Sequence, residues 1–313
     1  MENIEIKFDF LKREHLSSLV ALYQSIFNKK VDEHYFESKY GLLLAGQMQM
    51  SVVGKIDGKV IGFFGAIPHT FELGNQKYSM LYTCDYFLEE AYRGKGVFDQ
   101  FYKYIKEKAI AQNFDYFYTF DSAQTHQFGQ KMGWIAAPSF VGMEWKLFPK
   151  TAKSILERTA GSEWSLKRLR RHLAPIEKEL KLKHLPKTSL VYDPNFLKMK
   201  QFGNRFFIHL NGCNIWLKYD YRMTIGVIEI TEEGDVFEML NSLKNIAWKS
   251  GIHHIVIHIR PEDPLLEILK INAIPAKGQG ITFESYFASY LPLKDDLPDF
   301  NEFTTHFSHG DMF

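Results

Sequence analysis

Cysteine is nearly absent from this chain of 313 residues; Cys84 and Cys213 stand far apart and form no Cys-x-x-Cys pair. That excludes a disulfide framework and a cysteine-based zinc site as organising principles. No apolar run approaches the ~18 residues that suggest a membrane span. The start, Met1-Glu2-Asn3-Ile4-Glu5, is acidic and lacks the apolar core of a secretory signal. A charge excess is lacking too. The 38 Lys and Arg nearly balance the 37 Asp and Glu, leaving a net charge of +1 and no bulk reason to expect a nucleic-acid partner. Aromatic surface, by contrast, is plentiful: 27 Phe and 16 Tyr in a composition 45% hydrophobic and 24% charged. The expectation is a globular cytoplasmic protein of one large or two ordinary domains, with no membrane partner.

Periodicity orders the chain. Residues 3–9 alternate apolar and polar as a half-buried strand does. Leu16, Leu19, Leu22 and Phe27 fall on one helical face, and a second helical stretch runs from about Asp32 to Tyr40. Ser51–Ile56 and Lys59–Ala66 flank Asp57-Gly58, a strong hairpin signal. A strand over Lys77–Leu88 leads into Glu89-Glu90-Ala91-Tyr92-Arg93-Gly94-Lys95-Gly96, after which Val97, Phe98, Phe101, Tyr102, Ile105 and Ala109 recur at helical spacing. A strand at Tyr116–Phe120, a helix over Ser122–Met132 closed by Gly133, and strand material at Phe140–Leu147 complete this half.

Residues 150–187 are charged and helix-compatible, and read as a connector whose run Lys167-Arg168-Leu169-Arg170-Arg171 suits a solvated helix face. The plan then repeats. Strands at Phe206–Leu210, Asn214–Tyr219 and Thr224–Ile230 lead to Glu232-Glu233-Gly234-Asp235. A helix bearing Val236, Leu240, Leu243 and Ala247, a strand at Ile255–Ile259, a helix from Pro264 and a strand at Phe283–Leu291 follow. The spacing from Gly96 to Phe120 nearly equals that from Gly234 to Ile259, which indicates a duplicated architecture. The expected division is 1–149, 150–187, 188–297 and a loosely ordered tail at 298–313.

The segment Tyr92-Arg93-Gly94-Lys95-Gly96-Val97 follows a strand and opens an amphipathic helix. Glycines allow close backbone approach, successive N–H groups can converge on one anion, and the helix start with Arg93 and Lys95 adds positive charge. It reads as a diphosphate cradle. Neither a Gly-x-x-x-x-Gly-Lys-Ser/Thr pattern nor a Gly-x-Gly-x-x-Gly fingerprint is present, since Asp99 takes the third glycine's place.

On these residues the stretch resembles motif A of the GNAT acetyltransferases, Gln/Arg-x-x-Gly-x-Gly/Ala. Gly94 and Gly96 match it, and Ala91 stands at the leading Gln/Arg position. The segment Asp121–Trp134, ending Lys131-Met132-Gly133-Trp134, is similar to the family's fourth-helix motif. The resemblance covers roughly residues 3–150. It implies an α/β mixed-sheet GNAT fold in two copies, the second degenerate because Glu232-Glu233-Gly234-Asp235 puts acids where a cradle needs cations. It implies acetyl-CoA as co-substrate and a small-molecule primary amine or amino sugar as acceptor. The backbone near Phe87 and Leu88 would pair with pantetheine, and the amides of Arg93, Gly94, Lys95, Gly96, Val97 and Phe98 would hold the pyrophosphate. Ser122 replaces a common Asn, and Gly129 stands where many members carry the tyrosine that protonates the leaving thiolate.

For the proton chemistry, Asp85 and Glu89 at the end of the central strand are candidate bases, or else solvent-facing acids. His126 is a candidate donor or a surface histidine. His69 lines an acceptor groove or sits in a loop. Tyr86 reads as a core aromatic. Phe36 and Tyr40 are acceptor-side or core residues, and Lys39 is acceptor-side or solvated. No metal site is expected: His253, His254 and His258 lack a carboxylate of matching spacing, and the tail's His306, His309 and Asp311 are adjacent without triad geometry. Two other functions suit the same pattern, a Fem-type aminoacyl transferase and a non-catalytic acyl-CoA-binding module.

Overall fold

A computed structural model describes residues 5–44, 46, 48–147, 161–179, 188–200, 203–231, 234–272 and 281–305. The first half comprises β1 (Lys7–Phe10), α1 (Leu16–Phe27), α2 (Glu33–Lys39), β2 (Val52–Ile56), β3 (Lys59–Leu73), β4 (Gln76–Leu88), α3 (Val97–Ala111), β5 (Tyr116–Asp121), α4 (Ala123–Lys131) and β6 (Ile135–Lys146). The connecting region contributes α5 (Gly161–Leu173) and α6 (Pro194–Lys200). The second half holds β7 (Arg205–Leu210), β8 (Cys213–Tyr219), β9 (Met223–Ile230), α7 (Val236–Lys249), β10 (His254–Ile259), α8 (Leu265–Asn272) and β11 (Ile281–Pro292). No helix among the described residues is long and apolar enough to cross a membrane.

Local chemistry accounts for the elements. Asp57 and Gly58 both take positive φ, 49° and 82°, the combination a two-residue hairpin turn demands. Leu16, Leu19 and Leu22 of α1 are buried against one face of the sheet with Phe36, Phe63 and Tyr82. Val97, Phe101 and Ile105 of α3 are buried against the other with Leu81 and Phe117. Asp193 accepts from the Phe196 amide at 2.8 Å and starts α6 with Pro194 at its first position. Periodicity alone had left this helix unread.

All eleven strands belong to one sheet, ordered β1-β2-β3-β4-β5-β11-β6-β10-β9-β8-β7. The centre of that order departs from two side-by-side domains. β11, the last strand of the second half, pairs antiparallel with β5 of the first, while β6 of the first half pairs antiparallel with β10 of the second. β6 and β11 pair with each other. The halves thus exchange their final strands. In each half one parallel pair is short: Met80–Tyr82 with Tyr116–Tyr118, and Met223–Ile225 with Ile255–Ile257. Beyond these contacts the strands splay.

Four expectations change. β1 starts at Lys7, and residues 3–4 lie outside the described set, as do half of the connector and His306, His309 and Asp311 of the tail. β3 runs on to Leu73, so His69 is a strand residue, buried on Tyr82 and Phe196. The tail is packed as far as Thr305, because Phe300 and Phe303 insert among Phe71, Tyr116 and Tyr118. Lys39 is buried, not solvated, for the reason given next.

Candidate functional site

A bulge shapes the end of β4. Asp85 takes φ 43° and the β3–β4 register shifts there, so Cys84 and Asp85 both turn toward α2 and Tyr86 toward α3. The Asp85 carboxylate accepts from Lys39 Nζ and, at 2.9 Å, from the Tyr40 hydroxyl. This ion pair is what lets Lys39 be only 4% exposed. Gly65 permits the arrangement, since a Cβ there would lie 2.5 Å from the Cys84 carbonyl and the Tyr40 hydroxyl.

After β4, a short 3-10 turn at Glu90–Tyr92 leads to the glycine loop. Gly94 and Gly96 have φ of 72° and 73°, and a Cβ at either would meet nothing within 4 Å. The loop is therefore held by backbone conformation and faces open space at the start of α3. Arg93 donates from Nε to the Leu88 carbonyl at 3.0 Å, and Lys95 is exposed beside it. A cleft of about 550 Å³ adjoins the loop. Phe87, Leu88, Arg93, Gly94, Gly96, Val97 and Phe98 all line it, joined by Phe27 of α1, Tyr86 and Phe128. Among the described residues, no strand pairs with β4 on its β5 side from Thr83 onward. The Leu88 carbonyl accepts from Arg93.

The remaining sequence candidates are differently placed. Glu89 pairs with Lys59 at 2.8 Å and is not among the residues lining the cleft. Ser122 caps α4, accepting from the Thr125 amide at 3.3 Å. His126 is not a surface residue. It is buried, stacked on Phe287 with ring centroids 4.6 Å apart, and its Nδ1 lies 2.8 Å from Ser289 Oγ. His69 meets the Tyr118 hydroxyl, and burial, aided by Lys200, holds its pKa well below the usual histidine value. Gly129 borders the gap between the splayed strands, facing Trp134.

Two residues of this gap escaped the sequence reading. Tyr86, read as core, lines both gap and cleft and stacks on Phe64 and Phe98. Asp121, at the end of β5, is 5% exposed and lines the gap. Burial pushes its pKa up to about 6, against hydrogen bonds from Ser289 and Thr119 that lower it. The available signal was a carboxylate closing a parallel strand just before a helix cap.

The second half offers no comparable loop in its described part. Glu232 and Glu233 lie outside it; a Cβ on Gly234 would collide with Ile230 and the Gly212 carbonyl, and Asp235 caps α7. His254 pairs with Glu144 across the strands, a carboxylate that linear spacing could not reveal. Among the described residues a metal-type cluster gathers Asp9, Glu14 and His15, but Lys12 and Lys55 each approach Asp9 to 3.2 Å and already balance its charge.

The acetyltransferase (GNAT) family profile matches residues 16–134, from α1 to the end of the α4 segment. No curated protein sequence matches the chain. Among solved structures, a GCN5-related N-acetyltransferase from Anabaena variabilis is similar with TM-score 0.58 and 13% identity, over 93% of this chain and 73% of that one. A tandem GNAT protein of the clavulanic acid biosynthesis pathway aligns with TM-score 0.57 and 10% identity, over 94% of this chain and all of its own. A glucosamine N-acetyltransferase region of a fungal multi-domain β-N-acetylglucosaminidase aligns with TM-score 0.52 and 13% identity, over 93% of this chain and 38% of that protein. At such identities the likeness is one of fold. Taken with the matched sequence, the positive-φ glycine loop and the splayed parallel strands, it makes residues 16–134 a domain of the GNAT acetyltransferase family, in a chain with the tandem form of that fold.

Proposed function

We propose that the chain is a cytoplasmic N-acyltransferase that moves an acetyl group from acetyl-CoA to the primary amine of a small molecule. The observation that carries this reading is the glycine loop: two residues held at positive φ by a helix start, opening on a cleft that continues along β4 beyond its pairing with β5. The space a Cβ would fill at Gly94 and Gly96 is open, which fits a diphosphate seated on the loop amides with the α3 N-terminus behind it. Arg93 and Lys95 supply the charge. The β5-side edge of β4 suits the amides of pantetheine, and the aromatic lining suits its apolar stretches. When bound, acetyl-CoA supplies an activated thioester. The chain's own work is to hold it, to exclude water with Phe64, Tyr86, Phe98 and Phe128, and to receive the proton that the amine loses.

Acceptors would approach from the α2 side, where Lys39, Asp85 and Tyr40 form a polar cluster. Amino sugars are the first class to test, since one similar fold is a glucosamine N-acetyltransferase. The experiment is calorimetry of the full chain with acetyl-CoA, followed by thiol release with glucosamine, spermidine and a lysine peptide as acceptors. Binding together with amine-dependent release is expected. Absence of binding would overturn the donor assignment, and binding without release to any amine would favour an acyl-CoA-binding module.

A further inference from the structure

We propose that Asp121 is the proton acceptor of the transfer, and that Ser289 of the second half, with His126, positions it. The inference rests on the acyl-transfer reading above. Asp121 stands where β4 and β5 part, so its carboxylate borders the gap toward which the β5-side edge of β4 leads. Of the two acids the sequence offered as bases, Asp85 is held by Lys39 and Tyr40, and Glu89 pairs through one oxygen with Lys59 and does not line the cleft. The gap has about 30 Å³, room for a water that could relay the proton.

The carboxylate is held by a directional chain. Gln130 Nε2 donates to His126 Nε2 at 3.2 Å, which leaves the ring proton on Nδ1 to be donated to Ser289 Oγ at 2.8 Å. The serine hydroxyl is then the donor to Asp121, and Thr119 Oγ1 adds a second bond at 3.2 Å. Strand register enforces this, because Ser289 sits opposite Thr119 on the exchanged strand β11. Burial raises the titration of the acid and the two hydroxyls oppose it; the net position, about 6, lets it accept a proton at neutral pH. The titratable groups facing it are Tyr86 from β4 and, through Ser289, His126 from α4. In the step, the C–N bond forms, the C–S bond breaks, and the proton lost by nitrogen passes to Asp121 and from there to the departing sulfur. The first half's chemistry therefore depends on a residue of the second half.

The test uses the full chain with acetyl-CoA and the three amine probes named above. Asp121→Asn is expected to cut turnover by about 100-fold or more while leaving acetyl-CoA affinity unchanged. Ser289→Ala is expected to move the acid limb of the kcat/KM profile upward by roughly one unit, the worth of one hydrogen bond to a charged acceptor, and Ser289→Thr to restore it. A purely structural serine would not move that limb. Carboxyl-carbon NMR of 13C-labelled aspartate, assigned with Asp121→Asn, reads the same titration without any acceptor: near pH 6 in the native chain and higher in Ser289→Ala. Full turnover in Asp121→Asn, or an identical Asp121 titration with and without Ser289, overturns the proposal. Loss of acetyl-CoA binding by the unmodified chain would instead sink the donor reading, and the NMR titration would still decide the coupling.

Discussion

Replacing Gly96 by valine separates a backbone cradle from a basic patch. The φ of 73° is left-handed, so any L-residue there costs about 1–2 kcal/mol. Nothing lies within 4 Å of the new Cβ, so the Cβ itself meets no neighbour in the unliganded fold. Against a total stability on the order of 5–15 kcal/mol, the variant should remain folded. The new side chain, however, stands in the open space assigned to the diphosphate. Gly74 provides the internal control: its φ is 61°, its Cβ site is equally empty, and it lies in the β3–β4 hairpin, at the opposite end of β4 from the loop. Gly74→Val should lose similar stability in urea titration and bind acetyl-CoA normally by calorimetry; Gly96→Val should lose the same stability and bind none. Lys95→Ala should weaken binding modestly, with a greater loss at low salt than at high. Normal binding by Gly96→Val, together with loss of binding on removing Arg93 or Lys95, would refute the cradle and leave the glycine pair a mere turn.

Three further outcomes follow from the packing. Lys39→Met strands the Asp85 carboxylate and should cost about 3 kcal/mol in urea titration, most of it recovered in Lys39→Met/Asp85→Asn; a turnover loss in Asp85→Asn without a stability change would return Asp85 to the role of base. Asp121 is an acid whose folded pKa, about 6, lies above its ordinary 3.8, so the folded state binds its proton more tightly than the unfolded one. Its contribution to stability therefore falls as pH rises from about 4 to about 6, by about 3 kcal/mol in all, and that slope should be missing from the stability profile of Asp121→Asn. Phe303→Ala removes a ring packed on Phe71, Tyr78 and Tyr116 and should cost about 3–5 kcal/mol by denaturant titration; a loss below about 1 kcal/mol would mean the tail is loosely held after all.

Features set by neighbours in sequence were legible without coordinates. Asp57-Gly58 names its own turn, the α3 face repeats at helical spacing, and Gly94 and Gly96 announce a loop that only glycine suits. Features set by distant partners were not. Alternation in β11 says that one side of the strand is buried, but nothing in it says that β5 and β6 are the neighbours. Asp121 is an ordinary acid until Ser289 and α4 cover it. His69 and His126 were read as loop or surface because of their polarity, whereas inside the fold each stacks on an aromatic ring and meets a hydroxyl, of Tyr118 and Ser289 respectively. The tail misled through its acids and Asn301, which surround the two phenylalanines that anchor it.

The exchange of final strands also sets a timetable. Asp121 on β5 faces Phe287 on β11, a partner that emerges from the ribosome more than half the chain later. Until then β5 has an uncovered edge, and the carboxylate at its tip lacks the serine that tunes it. Such long-range closure slows folding and leaves an intermediate exposed to wrong pairings. It also means that a nascent chain has its glycine loop before β11 brings Ser289, the residue proposed to position Asp121, into place.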